Sequence, residues 1–335
     1  MSVSTNSTTT TFHTSARDGF GTNVIYAYEH GRPEHPIEGV QYLLEQLHIL
    51  PSSSTTSTST ASSSPIVIPP CASNGSFPAL PIVEIGCGTG KYTRPLYSLL
   101  EKYCTNKPPI PNLICVDPAD MAQKINQDFP SIPFIKTTAD ALDTIPDHSI
   151  GTIIIAQAFH WMSNRITMKE LYRILHPQGY IALVWNMRYS DAKDTNTNWI
   201  NDFESLLNEY YEPTTPRQIS GEWKLFLENE CTDLFQFPMQ SHFMIHDQGG
   251  YIGTEEQVLN YVLSISDISK RNKEEKNIIR ERFRELLYKP TTPIIIREND
   301  GQRPDTGANQ QNAEATKIWK IPMRIEMYWF KPKQQ

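Results

Sequence analysis

Three alternating glycines are the feature of this sequence with the clearest chemical meaning. Gly86, Gly88 and Gly90 follow directly after the apolar run PIVEI at 81–85, and a helical pattern begins near Lys91. A glycine-rich turn between a parallel strand and a helix lets the backbone come close to a nucleotide-like ligand. Because glycine has no Cβ, it adopts positive φ and leaves room for that ligand. The pattern predicts a nucleotide-type site at the carboxyl end of this strand.

The residues beside the glycines argue against a pyrophosphate ligand. The dinucleotide pattern G-x-G-x-x-G/A has Lys91 at its third glycine, and the phosphate-loop pattern has Ile85 in place of Gly and Tyr92 in place of Ser or Thr. Glu84 lies two residues before the first glycine, where its carboxylate would repel a pyrophosphate. The same carboxylate suits a ligand with a cationic sulfonium and an α-amino group. Another nucleotide, or a purely structural turn, remains as the alternative.

Acidic residues follow the next two predicted strands. Asp117 ends the second strand, directly before Pro118, and Asp140 follows the third strand. Ligands of open parallel sheets bind at the carboxyl ends of the strands, so Asp117 is placed to accept hydrogen bonds from two ribose hydroxyls. An ordinary helix N-cap followed by proline is the alternative, and both roles are compatible. Asp140 has the alternative of a turn aspartate, and Asp143 is its rival.

The segment QAFHW after the fourth predicted strand places polar and aromatic side chains at the same edge of the sheet. Gln157 comes first, and His160 and Trp161 follow. His160 is a candidate general base because an imidazole titrates near neutral pH, although a packed or substrate-orienting role is equally consistent. Trp161 is either a wall of the pocket or a core residue.

Two further candidates precede the first amphipathic helix. Arg32 is able to clamp a carboxylate with two hydrogen bonds, with a solvated surface arginine as the alternative, and Tyr28 lies one helical turn before it. The nine histidines show no H-E-x-x-H or other metal-ligand spacing, so no metal is predicted.

Apolar runs that alternate with helical patterns predict a parallel sheet covered by helices on both faces. Later in the chain, helical stripes lie between two more strand-like segments, which suit an antiparallel hairpin at one edge of the sheet. Thr254 and Gln257 form a predicted capping box for one of the late helices. The predicted strands are 81–85, 112–116, 132–135, 150–156, 180–185, 234–245 and 318–330, and the first helices are 91–102, 118–128 and 164–175.

Composition limits the classes of function. The chain has 335 residues, 39% hydrophobic residues and a net charge of −7 with no dense basic run, which disfavours nucleic acid as the main partner. No apolar run approaches the length of a membrane span, and the start lacks an apolar signal core. Five cysteines show no paired spacing, which predicts reduced thiols in a cytoplasmic protein. The oligomeric state is left open.

The sequence divides into segments of different composition. The tract PSSSTTSTSTASSS buries too little apolar surface to order itself, so we expect an inserted loop before the first strand. The expected division is a flexible start at 1–22, an N-terminal helical lid segment at 23–50, the insertion at 51–79, a cofactor-binding core at 80–186, a helical lid or substrate insert at 187–232, and the rest of the core at 233–335 with a polar insertion at 298–316.

Four segments resemble the methyltransferase type 11 family of class I S-adenosylmethionine-dependent methyltransferases. They are FHTSARDGFG…YEHGRPEHP, VEIGCGTGKYT, AQAFHWM and LYRILHPQGYIALVWNMR, and WKIPMRIEMY at 319–328 resembles the final strand. The chain is most similar to the branch that includes trans-aconitate methyltransferase and the yeast cantharidin-detoxifying enzyme. Gln178, where a Pro-Gly-Gly turn is common, is a mild departure.

The resemblance implies a Rossmann-like, doubly wound α/β fold with a seven-stranded, mostly parallel sheet, an antiparallel last strand and a helical lid. It implies S-adenosyl-L-methionine as the cofactor, and it places Asp140 and Ala141 at the adenine. Tyr28, Arg32, His160 and Trp161 fall on the substrate or lid side. The residues that match cofactor contacts are Glu84, Gly86, Cys87, Gly88, Gly90, Asp117, Asp140, Ala141 and Gln157.

The expected function is methyl transfer to an oxygen, carbon or nitrogen of a small molecule, with a carboxylate among the candidates. In-line placement of the nucleophile, the methyl carbon and the sulfur matters more in this reaction than proton chemistry. Two alternatives remain. One is a methyltransferase of a lipid-like quinone or sterol, and the other is a regulatory protein that binds S-adenosylmethionine without turnover.

Overall fold

The computed structural model describes residues 28–29, 31–51, 80–103, 113–119, 122–191, 193–297 and 316–334. The predicted flexible start at 1–22, nearly all of the insertion at 51–79 and nearly all of the polar insertion at 298–316 lie outside the described residues.

One mixed sheet organises the described chain. Its strands are β1 (Ile82–Ile85), β2 (Leu113–Val116), β3 (Phe134–Ile135), β4 (Ile150–Ala156), β5 (Leu175–Arg188), β6 (Gln240–Thr254), β7 (Ile295–Arg297) and β8 (Thr316–Phe330). Their order across the sheet is β3-β2-β1-β4-β5-β8-β6, with β7 paired to β8. Strands β1 to β5 pair in parallel, and β8 runs antiparallel to both of its neighbours β5 and β6. The predicted parallel sheet with an antiparallel last strand is confirmed, and the short β7 adds to it.

Two strands differ in length from their predictions. The turn expected at 177–179 is part of β5, where the β4–β5 ladder shifts register between Ile150 and Thr152. The strand expected at 234–245 begins only at Gln240, and Phe235 makes an isolated bridge to Pro332. Long-range pairing decides both boundaries, because the local residue pattern does not encode which partner strand continues.

Helices cover both faces of the sheet. They are α1 (Ile37–Gln46), α2 (Thr93–Tyr103), α3 (Ala122–Asp128), α4 (Arg165–Ile174), α5 (Trp199–Asn208), α6 (Glu222–Glu230), α7 (Glu255–Leu263), α8 (Ser266–Ser269) and α9 (Lys273–Leu287). The capping box predicted at Thr254 and Gln257 is confirmed at the start of α7, and a second capping box at Asn272 and Glu275 begins α9. None of the helices in these described ranges is long and apolar enough to cross a membrane.

Two hydrophobic clusters sandwich the sheet. On one face, α1, α2 and α3 pack through residues such as Leu43, Leu99 and Ile125. On the other face, α4 and α6 pack through residues such as Leu171 and Trp223. Burying one such side chain stabilises the fold by about 1.5–3 kcal/mol, so both layers hold the carboxyl ends of the strands in fixed positions.

A third hydrophobic cluster joins α5 to α7, α8 and α9, and we call these four helices the cap. Phe203, Tyr261 and Phe283 are buried in this cluster, together with Trp319 and Ile321 of β8. The expected lid segment 187–232 is therefore divided, since α5 belongs to the cap and α6 packs against the sheet. The helices α7 to α9, which we expected with the core, join the cap instead, because their apolar faces meet α5.

Candidate functional site

A solvent-open cavity lies at the carboxyl ends of β1, β2 and β4. We call it the central cavity. It combines the glycine turn, the start of the segment after β2, the segment after β4 and part of the chain before α1. Eight of the residues selected from the sequence line it, namely Tyr28, Glu84, Gly86, Cys87, Gly88, Asp117, Gln157 and Trp161.

The three glycines of the turn all have positive φ, at 73°, 51° and 85°, but for different reasons. A Cβ at Gly86 would lie 2.6 Å from the Cβ of Ala158, in the segment after β4. A Cβ at Gly90 would lie 3.2 Å from the Phe129 ring, so this glycine permits close packing and does not line the cavity. A Cβ at Gly88 would meet no atom of the described residues within 4 Å. Gly88 therefore leaves open space for a ligand at the cavity wall.

Glu84 is a buried carboxylate with one free oxygen. Its side chain is 1% exposed, and Thr93 Oγ1 donates a hydrogen bond of 2.8 Å to Oε2. Oε1 has no hydrogen-bond partner among the described residues. Burial, with a smaller contribution from the charge of Asp117, raises the pKa of Glu84 to about 8, although the hydrogen bond from Thr93 opposes the shift. A cationic group that enters the cavity would both ionise this carboxyl group and satisfy Oε1.

Asp117 links the glycine turn to the end of β2. Its Oδ2 accepts a hydrogen bond of 2.9 Å from the Gly88 amide, and its Oδ1 accepts one of 2.8 Å from the Ala119 amide. Burial raises the pKa of this carboxyl group. The contact with Ala119 is the capping type of contact that we considered, and the position in the cavity is the one that ribose binding requires. The ribose contact itself stays a prediction.

Asp140 and Ala141 do not line the central cavity. The Ala141 amide donates to the Thr138 carbonyl at 3.1 Å, and its own carbonyl accepts a hydrogen bond of 2.8 Å from Thr137 Oγ1. These contacts form a local turn, which is the alternative that the sequence left open for Asp140. The adenine contact of both residues stays a prediction.

Gln157 holds the segment after β4 in an unusual conformation. Its φ is 59°, a left-handed value that a residue with a Cβ seldom adopts. The backbone amide donates to the Val184 carbonyl at 2.8 Å, and Nε2 donates to the Asn186 carbonyl at 3.1 Å. Strained residues of this kind cluster at functional sites, and these two hydrogen bonds fix the bend that forms the cavity wall.

His160 is a poor proton acceptor in this arrangement. Its Nδ1 faces Trp185 Nε1, which donates a hydrogen bond of 3.3 Å, so the lone pair of Nδ1 is occupied. Burial, with a contribution from the positive charge of Arg32, lowers the pKa of His160 to about 3. His160 is not among the cavity-lining residues, whereas Trp161 is. The geometry therefore favours the packed role of His160 that we considered, and it favours a wall position for Trp161.

Arg32 is not the solvated surface arginine that we considered as its alternative. Its Nε donates to Ser264 Oγ at 2.8 Å, and Nη2 donates to the Ser264 carbonyl at 3.3 Å. Its guanidinium lies 5.6 Å from the ring centre of Tyr28 and 5.1 Å from that of Tyr261. In the described part of the chain, no carboxylate forms an ion pair with it. Arg32 thus connects the segment before α1 to the end of α7, and no described carboxylate neutralises its positive charge.

The sequence did not select two buried residues that line the central cavity, His35 and Tyr92. The His35 amide donates to the Lys91 carbonyl at 3.4 Å, and the rings of His35 and Tyr92 meet edge to face at 5.0 Å. Both belong to segments that carry the family resemblance. Their positions in the sequence could have identified them. Tyr92 comes two residues after the last glycine of the turn, and His35 lies between two prolines that restrict the backbone.

Comparison with known proteins identifies the central part of the chain. Residues 83–183 match the family model described as a methyltransferase domain. A methyltransferase-like protein of Schizosaccharomyces pombe is 32% identical over 143 residues, which cover 42% of this chain and 50% of that protein. A methyltransferase of Mycobacterium tuberculosis is 26% identical over 196 residues, which cover 58% of this chain and 61% of that protein. The chain thus spans about half to three-fifths of these two relatives.

A solved structure from Anaeromyxobacter dehalogenans, described as a type II methyltransferase, superposes with a TM-score of 0.49 at 15% identity and covers 90% of this chain and 97% of that one. Residues 83–183 are thus similar to a methyltransferase domain. The free oxygen of Glu84 and the open side of Gly88 would fit the cationic end of a ligand in the central cavity.

Proposed function

We propose that this protein transfers a methyl group from S-adenosyl-L-methionine to a small-molecule acceptor. The observation that carries the proposal is the central cavity, which Gly88 leaves open and which two acidic side chains, Glu84 and Asp117, line. A net-cationic donor favours the ionised form of both carboxyl groups, whereas the negative charge of a pyrophosphate would oppose it.

The bound donor supplies an electrophilic methyl carbon whose bond to sulfur breaks as the acceptor attacks. The residues of this chain bind and orient the two molecules. In the proposed arrangement, Glu84 faces the ammonium group, Asp117 faces the ribose, and Gln157 and Trp161 lie beside the reacting end. Orientation and exclusion of water account for much of the rate of such a transfer.

We further propose that the acceptor is acidic and reacts through a carboxylate or another oxygen. Arg32 supports this step, because no carboxylate of the described residues pairs with its guanidinium and its positive charge acts on His160, the neighbour of Trp161. A carboxylate is already ionised at neutral pH, so the reaction would need no general base, and the low basicity of His160 is no obstacle. An acidic acceptor also agrees with the trans-aconitate branch, which stays a proposal together with the role of the cap as a lid.

The proposal is tested by incubating the protein with methyl-labelled S-adenosylmethionine and a metabolite extract, followed by separation of labelled products. We expect label in small acidic metabolites, and alkaline hydrolysis should release it from a methyl ester. Binding of the donor without transfer to any component would favour the regulatory alternative. Label that partitions with lipids would favour the quinone or sterol acceptor. Absence of saturable donor binding would refute the function altogether.

A further inference from the structure

The central cavity contains an unusual concentration of unsatisfied polar atoms. Six buried side-chain nitrogen or oxygen atoms in the described residues lack a hydrogen-bond partner, and three of them belong to residues that line this cavity. They are Glu84 Oε1, His35 Nδ1 and Tyr92 OH, on side chains that are 1%, 5% and 2% exposed. Each such group costs stability, because it has lost its hydrogen bonds to water and has gained none in the folded protein. A ligand that satisfies all three at once would remove this cost.

The three groups surround the glycine turn. Glu84 precedes the turn and Tyr92 follows it, close enough that the charge of Glu84 adds to burial in raising the pKa of the Tyr92 hydroxyl. His35 approaches from the segment before α1, with its ring edge to face against Tyr92 and its amide bonded to the Lys91 carbonyl. The Asn186 side chain donates to the carbonyl of the preceding residue, Glu34, at 3.1 Å. These two hydrogen bonds to the Glu34–His35 peptide group therefore hold His35 at the cavity.

Their protonation states complement an α-amino acid. Burial, with a contribution from His246, lowers the pKa of His35 to about 3, so the imidazole is neutral and offers a lone pair. Tyr92 keeps its proton and is able to donate a hydrogen bond. An ammonium group needs several acceptors, and a carboxylate needs donors. Glu84 and His35 are acceptors, and Tyr92 is a donor.

We propose that His35 and Tyr92, together with Glu84, bind the α-amino-acid end of the methyl donor. The ammonium group donates to Glu84 Oε1 and His35 Nδ1, and the Tyr92 hydroxyl donates to the carboxylate. This assignment rests on the proposed function, because it takes the donor to bind in the central cavity. It makes the segment before α1 part of the donor site, so that His35 covers the amino-acid end opposite the glycine turn.

The test compares two ligands that differ only at this end. S-adenosylhomocysteine carries the amino-acid end, and 5′-deoxy-5′-methylthioadenosine keeps the nucleoside and the thioether but lacks it. Calorimetry would measure both with wild type, Tyr92→Phe and His35→Phe. We expect each variant to weaken S-adenosylhomocysteine on the order of tenfold, the range of one hydrogen bond to a charged group. The affinity for the shorter ligand should stay within about twofold.

Matched variants separate a lost hydrogen bond from disturbed packing. Tyr97→Phe removes a hydroxyl from α2, the helix that follows Tyr92, at a residue outside the cavity, and should leave both affinities unchanged. His35→Asn keeps an acceptor near the position of Nδ1 and should restore part of the affinity for S-adenosylhomocysteine. Tyr92→Phe should fold at least as stably as wild type, because the hydroxyl that it removes has no partner.

Each outcome decides the assignment. Selective weakening of S-adenosylhomocysteine supports it. Equal weakening of both ligands would place His35 and Tyr92 at the nucleoside end and overturn it, as would no weakening of either. A wild-type protein that binds both ligands upholds the donor site even when the variants overturn the amino-acid assignment. A wild-type protein that binds neither would overturn both proposals.

Discussion

Glu84 and Arg188 are both ionisable side chains in largely buried surroundings, and their partners differ. Arg188, at the end of β5, bonds to both carboxylate oxygens of Glu204 on α5 and to the hydroxyls of Tyr261 and Tyr211. Glu84 has one hydrogen bond, from Thr93, and an oxygen without a partner among the described residues. At the contact between Arg188 and the cap, the charged groups thus have hydrogen-bond partners within the protein. In the central cavity, an oxygen of Glu84 is left for a ligand.

This difference distinguishes an ionisable side chain that holds two elements together from one that is available to a ligand. A buried ion pair with all its hydrogen bonds holds two elements together, and removal of one partner is costly because the other stays buried and unpaired. A buried carboxyl group with an unused oxygen costs stability in the free protein and returns that energy when a cation binds. The two regions should therefore respond in opposite ways to substitution.

The largest expected effect is on donor binding. Gly88→Val should weaken S-adenosylhomocysteine by more than about 100-fold, because a branched side chain at φ 51° strains the turn and fills the open space. Gly221→Val is the matched control. Gly221 has φ 70° and also meets nothing within 4 Å of its Cβ, but it lies outside the cavity. Calorimetry should show normal affinity for this control, and an equal loss in both variants would contradict a specific role for Gly88.

The cap contact should show the next largest effect. Arg188→Met should lower the free energy of unfolding by about 2–3 kcal/mol, because Glu204 and two hydroxyls lose their partner in a mostly buried position. Lys289→Met removes a partner from the exposed pair with Asp202 and should change stability by less than about 0.5 kcal/mol. Urea unfolding measures both. Similar losses for the two variants would remove the distinction between the buried and the exposed pair.

Glu84 should give the protein a characteristic pH dependence. Its pKa is about 8 in the folded, ligand-free state and lower in the unfolded state, so the folded state holds the proton more tightly. This contribution is fully present below the unfolded pKa and is lost as pH rises towards 8. From pH 5 to 8, we expect wild type to lose on the order of 2 kcal/mol more stability than Glu84→Gln. Parallel stability curves for the two proteins would refute the shifted pKa.

The same group should couple donor binding to proton release. An incoming ammonium group favours the ionised carboxylate, so binding at pH 7 should release a proton from Glu84. The apparent binding enthalpy should then vary with the ionisation enthalpy of the buffer, and Glu84→Gln should abolish this variation while it weakens binding.

The smallest expected effect is at His160. With a pKa near 3, its imidazole should stay neutral throughout the range from pH 5 to 8. Nitrogen-15 NMR of the histidine side chains should show no titration of His160 in that range, and His160→Asn identifies its signal. A titration with a midpoint near 6.5 would restore it as a candidate general base.

Local patterns predicted a large part of the fold. The alternation of β-branched runs and amphipathic helices gave the five parallel strands, and Thr254 and Gln257 gave the start of α7, because these signals involve neighbouring residues. The division of the helices between the sheet and the cap was not predictable in this way. Amphipathic stripes on α5, α6 and α7 look alike in sequence, and only packing decides which apolar faces meet.

The lining of the central cavity was predicted in part. Glu84, Gly88 and Asp117 were recognisable because strand ends in a parallel sheet converge at one edge. His35 and Tyr92 were missed because their role depends on the absence of a partner, and an unsatisfied atom has no signature in a residue pattern.

The amino-acid sequence by itself determined the parallel sheet, the glycine turn and the acidic residues at the strand ends, since each follows from residue types at short spacing. Tertiary structure alone decided that His35 meets Tyr92 beside Glu84, that Arg32 is fastened to Ser264, and that His160 is buried against Trp185. These contacts join residues far apart in the chain. The protonation state of each group depends on its desolvation and its hydrogen-bond partners, and both exist only once the chain has folded.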